Sequence, residues 1–122
     1  MKITPEVISE LQPNDVFVFG SNAAGAHGGG AARIAYERFG AVWGEGRGHH
    51  GQTYAIDTMS GLDELTEHAR GFVDYAQAHP ELRFFLTPVG CGIAGYTPDL
   101  VAPAFHGLPD NVTVPSSFVA YL

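Results

Sequence analysis

Two short stretches of this chain hold the residue types from which an anion site is built. The first is Gly20-Ser21-Asn22, followed a few residues later by His27-Gly28-Gly29-Gly30. The second is Gly90-Cys91-Gly92-Ile93-Ala94-Gly95-Tyr96. Glycines let the backbone approach a ligand closely and reach positive φ. Where such a loop opens a helix, free N–H groups and the positive end of the helix favour a phosphate. Two such loops in one chain predict a pocket that closes on a diphosphate from two sides.

The side chains among these glycines have competing uses. The Asn22 amide could hold a ribose hydroxyl, or it could cap its own turn. His27 abuts the glycine triplet, where it could bond a ligand or act as a general base near a ribose. Tyr96 could line a ribose pocket or be a core aromatic. Cys91 lies between two glycines, and a helix N-terminus there would lower its thiol pKa. No histidine or carboxylate adjoins it in sequence, which favours a small packing residue.

Three residues are candidates for catalysis: His27, Glu37 on the helix after the first loop, and Asp57 at a strand end near the pocket rim. Glu45 and Arg47 sit in a glycine-rich segment that is either a lid or a solvated hairpin tip. No metal or cofactor is expected. His49 and His50 are adjacent and cannot easily point the same way on an extended chain. No cysteine pair or spaced His-Glu motif accompanies them.

The elements that must position the loops follow from periodicity. Val16 to Phe19 has no polar alternation and predicts a strand buried on both faces. A helix is expected from about Gly29 to Phe39, with Ala32, Ala35, Tyr36 and Phe39 at helical spacing and Gly40 ending it. Gly44 to Gly51 predicts a loop or hairpin. Thr53 to Ile56 reads as a strand. Ser60-Gly61-Leu62-Asp63 resembles a capping box. Leu62, Leu65, Ala69, Phe72, Val73 and Ala76 then form one apolar stripe, stopped by Pro80. Arg83 to Leu86 is a further buried strand. Thr97-Pro98 predicts a helix start with Thr97 as N-cap. Val112 to Val114 is a last short strand, and Phe118 to Leu122 is expected to pack on the core. A helical turn is expected in the lead-in, from Pro5 to Leu11. Alternation of strands and helices argues an α/β fold with a mixed, mostly parallel sheet.

Composition narrows the classes of function. The 122 residues fit one domain over 1–122, and 45% hydrophobic content argues against disorder. The net charge is -7, with 6 Lys and Arg against 13 Asp and Glu. That balance disfavours nucleic-acid binding through a basic face. Backbone N–H groups can still bind a small anion. One cysteine excludes an internal disulfide and fits a reducing compartment. The first residues lack the apolar core of a signal peptide, and no stretch approaches the roughly 20 apolar residues of a membrane helix. A soluble cytoplasmic protein without a membrane partner is expected.

From about Asp15 to Phe105 the order of elements resembles the macrodomain family. Asn22 with Gly28, Gly29 and Gly30 is similar to that family's first loop. Gly92-Ile93-Ala94-Gly95-Tyr96 is similar to its second. Gly28-Gly29-Gly30-Ala31-Ala32 with Phe39-Gly40, and Pro88-Val89-Gly90-Cys91-Gly92-Ile93, look like the terminal ADP-ribose glycohydrolase branch. The chain also resembles small macro-like proteins of phages and prophages. The resemblance implies a three-layer α/β/α fold and binding of ADP-ribose or a related NAD-derived nucleotide. Ala94 stands where the branch has a catalytic Asp. Tyr36, Glu37 and Arg38 stand where a Lys is expected, and Ala32 where other hydrolases of the family place an Asp. The resemblance therefore implies binding more than cleavage. Hydrolysis of an ADP-ribosyl bond by other residues is the second reading. A non-binding structural or interaction protein is the third.

Overall fold

The computed structural model describes residues 2–122. Its sheet has five strands in the order β2-β3-β1-β4-β5. These are β1 (Asp15–Ser21), β2 (Gly48–His50), β3 (Thr53–Asp57), β4 (Arg83–Leu86) and β5 (Val112–Thr113). β1 pairs in parallel with β3 and β4, and β4 with β5. Only β2 runs antiparallel, as a hairpin with β3 in which His50 faces Thr53. Gly51, at φ +57, makes that tight turn possible.

Helices cover both faces, so the fold is α/β with a layer on each side. α1 (Gly30–Arg38) lies over Phe17, Phe19 and Ala55 through Ala32 and Ala35. α2 (Leu62–Ala78) lies over Val16, Val18, Ile56, Phe84 and Leu86 through Leu65, Ala69, Phe72, Val73 and Ala76. Alternate residues of β1 thus enter two different cores, which is why the strand carries no polar face. A short helix α3 (Pro98–Val101) and the 3-10 turn that follows it, Ala102–Phe105, complete the α2 side. No helix among the described residues is long and apolar enough to cross a membrane.

Asp15 and Arg83 are register partners at the start of β1 and β4. The guanidinium donates from Nε to Oδ1 at 2.9 Å and from Nη2 to Oδ2 at 3.2 Å. The Gln12 N–H donates to the same carboxylate. The Arg83 pKa is raised, first by that hydrogen bond and then by the charge of Asp15.

Three local expectations are corrected. Pro5 to Leu11 forms no helix. Ile8 and Leu11 do pack on the α1-side core, but from an irregular segment. The chain just before it is drawn into the sheet edge, where Thr4 N–H donates to the Val114 carbonyl and Val114 N–H to that of Lys2. The capping box does not form: Gly61, at φ +100, is the N-cap of α2, and the Ser60 hydroxyl donates to Asp57 instead. Thr97 does hold the N-cap position of α3 with Pro98 inside it, but its hydroxyl bonds the Asp99 carboxylate rather than a backbone N–H.

Candidate functional site

β1 and β4 are adjacent, and their chains leave in opposite directions. β1 leads to α1 on one face, and β4 leads to α3 on the other. Such a divergence leaves a crevice at the carboxyl ends of the strands. Here it is a cavity of about 270 Å³.

Both glycine loops reach this cavity. From the first come Gly20, Ser21, Asn22, Gly29 and Gly30, and from the second Gly90, Gly92, Ile93 and Ala94. Two glycines bring the loops together. A Cβ on Gly20 would stand 3.2 Å from Thr58 Cγ2 and 3.7 Å from the Gly90 nitrogen. Gly90 has φ +79, and a Cβ there would meet Leu65 Cδ1 at 2.9 Å. A side chain at Gly90 would press the second loop off Leu65 of α2, and one at Gly20 would press on Thr58 at the end of β3.

The cavity is lined without any charged side chain. Its hydroxyls are committed within the protein, that of Ser21 to His27 and those of two threonines to the sheet. Thr58 donates to the Ser21 carbonyl at 3.1 Å, and Thr87 donates to the Val18 carbonyl at 2.6 Å. What remains is backbone. Gly30, Ala31 and Ala32 all line the cavity and precede the first turn bond of α1, from Arg33 N–H to Gly29 O. The leading N–H groups of a helix have no partner within it. No acidic residue lies in that first turn to compete for them.

The remaining expected residues lie outside the lining. Gly28 and Gly95 are loop residues whose backbone does not reach the cavity. Tyr96 packs against the α2-side core. Cys91 also packs on that core, in a turn rather than at a helix N-terminus. Burial pushes its thiol pKa up, and the charge of Asp99 adds to the rise. The thiol pKa lowering that a helix N-terminus would bring is absent, and Cys91 is the packing residue that its sequence context favoured.

Asn22 lines the cavity with its amide engaged. Its Nδ2 donates to the Ala26 carbonyl and its Oδ1 accepts from the Ala26 N–H, both at 2.9 Å. It clamps its own loop. His27 is 1% exposed and points away from the cavity. Its Nε2–H donates to the Val42 carbonyl at 2.8 Å, so Nδ1 is the acceptor for the Ser21 hydroxyl at 3.2 Å.

The three catalytic candidates are not brought together. Glu37 is paired with Arg33 at 2.6 Å on the exposed side of α1. Asp57 is buried, and its oxygens accept from the Met59 N–H and the Ser60 hydroxyl. Glu45 and Arg47 are exposed and away from the cavity. His49 bonds the Tyr75 hydroxyl and the Gly51 carbonyl, and His50 the Arg47 carbonyl. No group of three potential metal ligands occurs among the described residues.

Sequence reasoning missed Thr58, Met59, Thr87 and Pro88, which also line the cavity. Each follows directly on β3 or β4. Their signal was position at the carboxyl end of a parallel strand. A second cavity of about 670 Å³ abuts the first and shares Gly30, Ala31, Thr87 and Pro88 with it. Its other walls include Val7, Ile8, Phe17 and Ile34.

Fold and cavity together define an α/β protein with an uncharged, backbone-lined crevice between two divergent parallel strands. No family model, curated protein or solved structure matches this chain.

Proposed function

We propose that this protein binds ADP-ribose or a related NAD-derived nucleotide in the crevice between the two glycine loops. The observation that carries the reading is the pair of glycine loops converging on one uncharged cavity beside the free N–H groups at the start of α1. A diphosphate takes its hydrogen bonds there from backbone, so the net charge of -7 is no obstacle. The adjoining larger cavity supports a nucleotide over a bare phosphate. An anionic centre at Gly30 can continue into a flat apolar group against Phe17 and Ile34.

Binding is favoured over cleavage of an ADP-ribosyl bond. Asp57 and Glu37 are held by other partners, and His27 faces away from the cavity. The cavity positions a ligand without a charged side chain or histidine in its lining. The macrodomain resemblance agrees with this reading, and a single cysteine suits a reducing cytoplasmic setting.

Calorimetric titration with ADP-ribose, with AMP and NAD as comparators, tests it. Micromolar binding of ADP-ribose with weak AMP binding is expected. Gly29→Glu sharpens the test. Gly29 has extended backbone, and a Cβ there meets nothing within 4 Å, so the fold is retained. The new carboxylate sits at the anion cradle, and binding is lost. Unchanged binding in this variant places the ligand elsewhere. No binding of any of the three nucleotides moves the protein to the structural or interaction class.

A further inference from the structure

A third cavity, of about 330 Å³, lies between the β2–β3 hairpin and α2. It shares no lining residue with the two cavities above. Two of its walls carry opposite charges. Arg47, at the entry to β2, lines it from the hairpin, and Glu67 lines it from α2. Both residues are exposed, and neither takes part in an ion pair among the described residues. A guanidinium and a carboxylate thus border one small space without neutralising each other.

The rest of the lining is fixed and uncharged. The Tyr54 ring packs against Phe72 at 5.0 Å between centroids and against Tyr75 at 5.2 Å. Burial raises the Tyr54 pKa, Tyr75 adds to the rise, and the nearby Arg47 charge opposes it. The phenol therefore stays neutral. His68 is held from behind, because the Asp57 N–H can only donate and so takes the Nδ1 lone pair at 3.3 Å. Its Nε2–H is buried, 3.5 Å from Glu64 Oε2, so the ring is a wall and not a donor to the cavity. Gly71 lines the cavity from inside α2, where glycine weakens a helix relative to alanine. Its φ is not in the left-handed region, and a Cβ there would meet nothing within 4 Å. Neither backbone conformation nor packing calls for a glycine at this point. What its missing side chain leaves is the open cavity.

We propose that this cavity binds a small free α-amino acid, with its carboxylate at Arg47 and its ammonium at Glu67. Arginine offers a carboxylate a planar fork of donors. Glu64 lies one turn before Glu67 on the same side of α2, which makes that wall the negative one. A ligand with a single charge leaves the other wall unmatched, whereas a zwitterion answers both. The volume suits a neutral side chain of modest size.

The test is a titration of the ¹⁵N-labelled protein with neutral L-amino acids, followed through amide shifts. Acetate and ethylammonium, with one charge each, are the comparators. Saturable shifts are expected at Gly48, Ala55 and Gly71. Both comparators should bind at least about tenfold more weakly, and Arg47→Gln and Glu67→Gln should each weaken amino-acid binding by roughly tenfold. Gly71→Leu should abolish binding while unfolding no earlier on heating, since leucine favours a helix over glycine. No saturable shift with any amino acid overturns the proposal. So do shifts at Gly30 and Gly90 in place of these, acetate bound as tightly as the amino acids, or unchanged binding in Gly71→Leu. Because the cavities share no residue, failure here leaves the nucleotide reading standing, and failure of ADP-ribose to bind leaves this site standing.

Discussion

The two glycine loops meet at one cavity but are built differently. The first is braced by side chains and by a neighbouring loop. Asn22 clamps Ala26, His27 ties the strand end to Val42, and Gly44 N–H donates to the Gly25 carbonyl. The second has only backbone bonds of its own: Cys91 N–H to Pro88, Gly95 N–H to Gly92 and Tyr96 N–H to Gly90. Its tip residue Ile93 is 91% exposed, a large apolar side chain left in water at the cavity mouth. One wall of the cavity is thus held by side chains and a second loop, and the other by its own backbone bonds and by packing of Cys91 and Tyr96 on the α2-side core.

The most damaging change to this arrangement is Gly46→Ala. Its Cβ would lie 1.8 Å from the Asn22 carbonyl oxygen. The bracing loop must then move away, at a cost of about 3 kcal/mol or more. Thermal unfolding should show a fall in midpoint of roughly 10 °C. Asn22→Ala removes two hydrogen bonds but no packing, and should cost about 1 kcal/mol by denaturant titration.

In the second loop, Cys91 reports on packing. A raised thiol pKa leaves less thiolate at any given pH. Alkylation by iodoacetamide should be slower than that of a free cysteine at pH 8, and should keep rising with pH beyond the usual thiol range. Gly92→Ala should have the smallest effect. A Cβ there meets nothing within 4 Å, and φ is ordinary, so stability should change by less than about 0.5 kcal/mol. A large loss in Gly92→Ala, or none in Gly46→Ala, would erase the difference between the loops.

The same contrast governs what the sequence revealed. Val16 to Phe19 and the stripe from Leu62 to Ala76 were legible because a doubly buried strand and an amphipathic helix each write a period into the chain. The glycine clusters were legible as loops opening at strand ends. The partners of their side chains were not. Nothing local told that His27 would turn from the triplet toward Val42, 15 residues on, or that Asp57 would be claimed by Ser60 rather than the cavity. The helical turn expected from Pro5 to Leu11 did not form, because Ile8 and Leu11 reach the core from an irregular segment. The bracing of the first loop by Gly44 and Gly46 depends on a fold-back that leaves only glycines as its trace.

The central claim is that both loops hold one anionic ligand at the ends of β1 and β4. Amide chemical-shift mapping of the ¹⁵N-labelled protein during an ADP-ribose titration tests it most directly. The amides of Gly30, Ala31 and Ala32 should move together with those of Gly90, Gly92 and Ala94, at a common affinity. Shifts confined to one loop, or centred on Arg47 beside the edge strand β2, would contradict it.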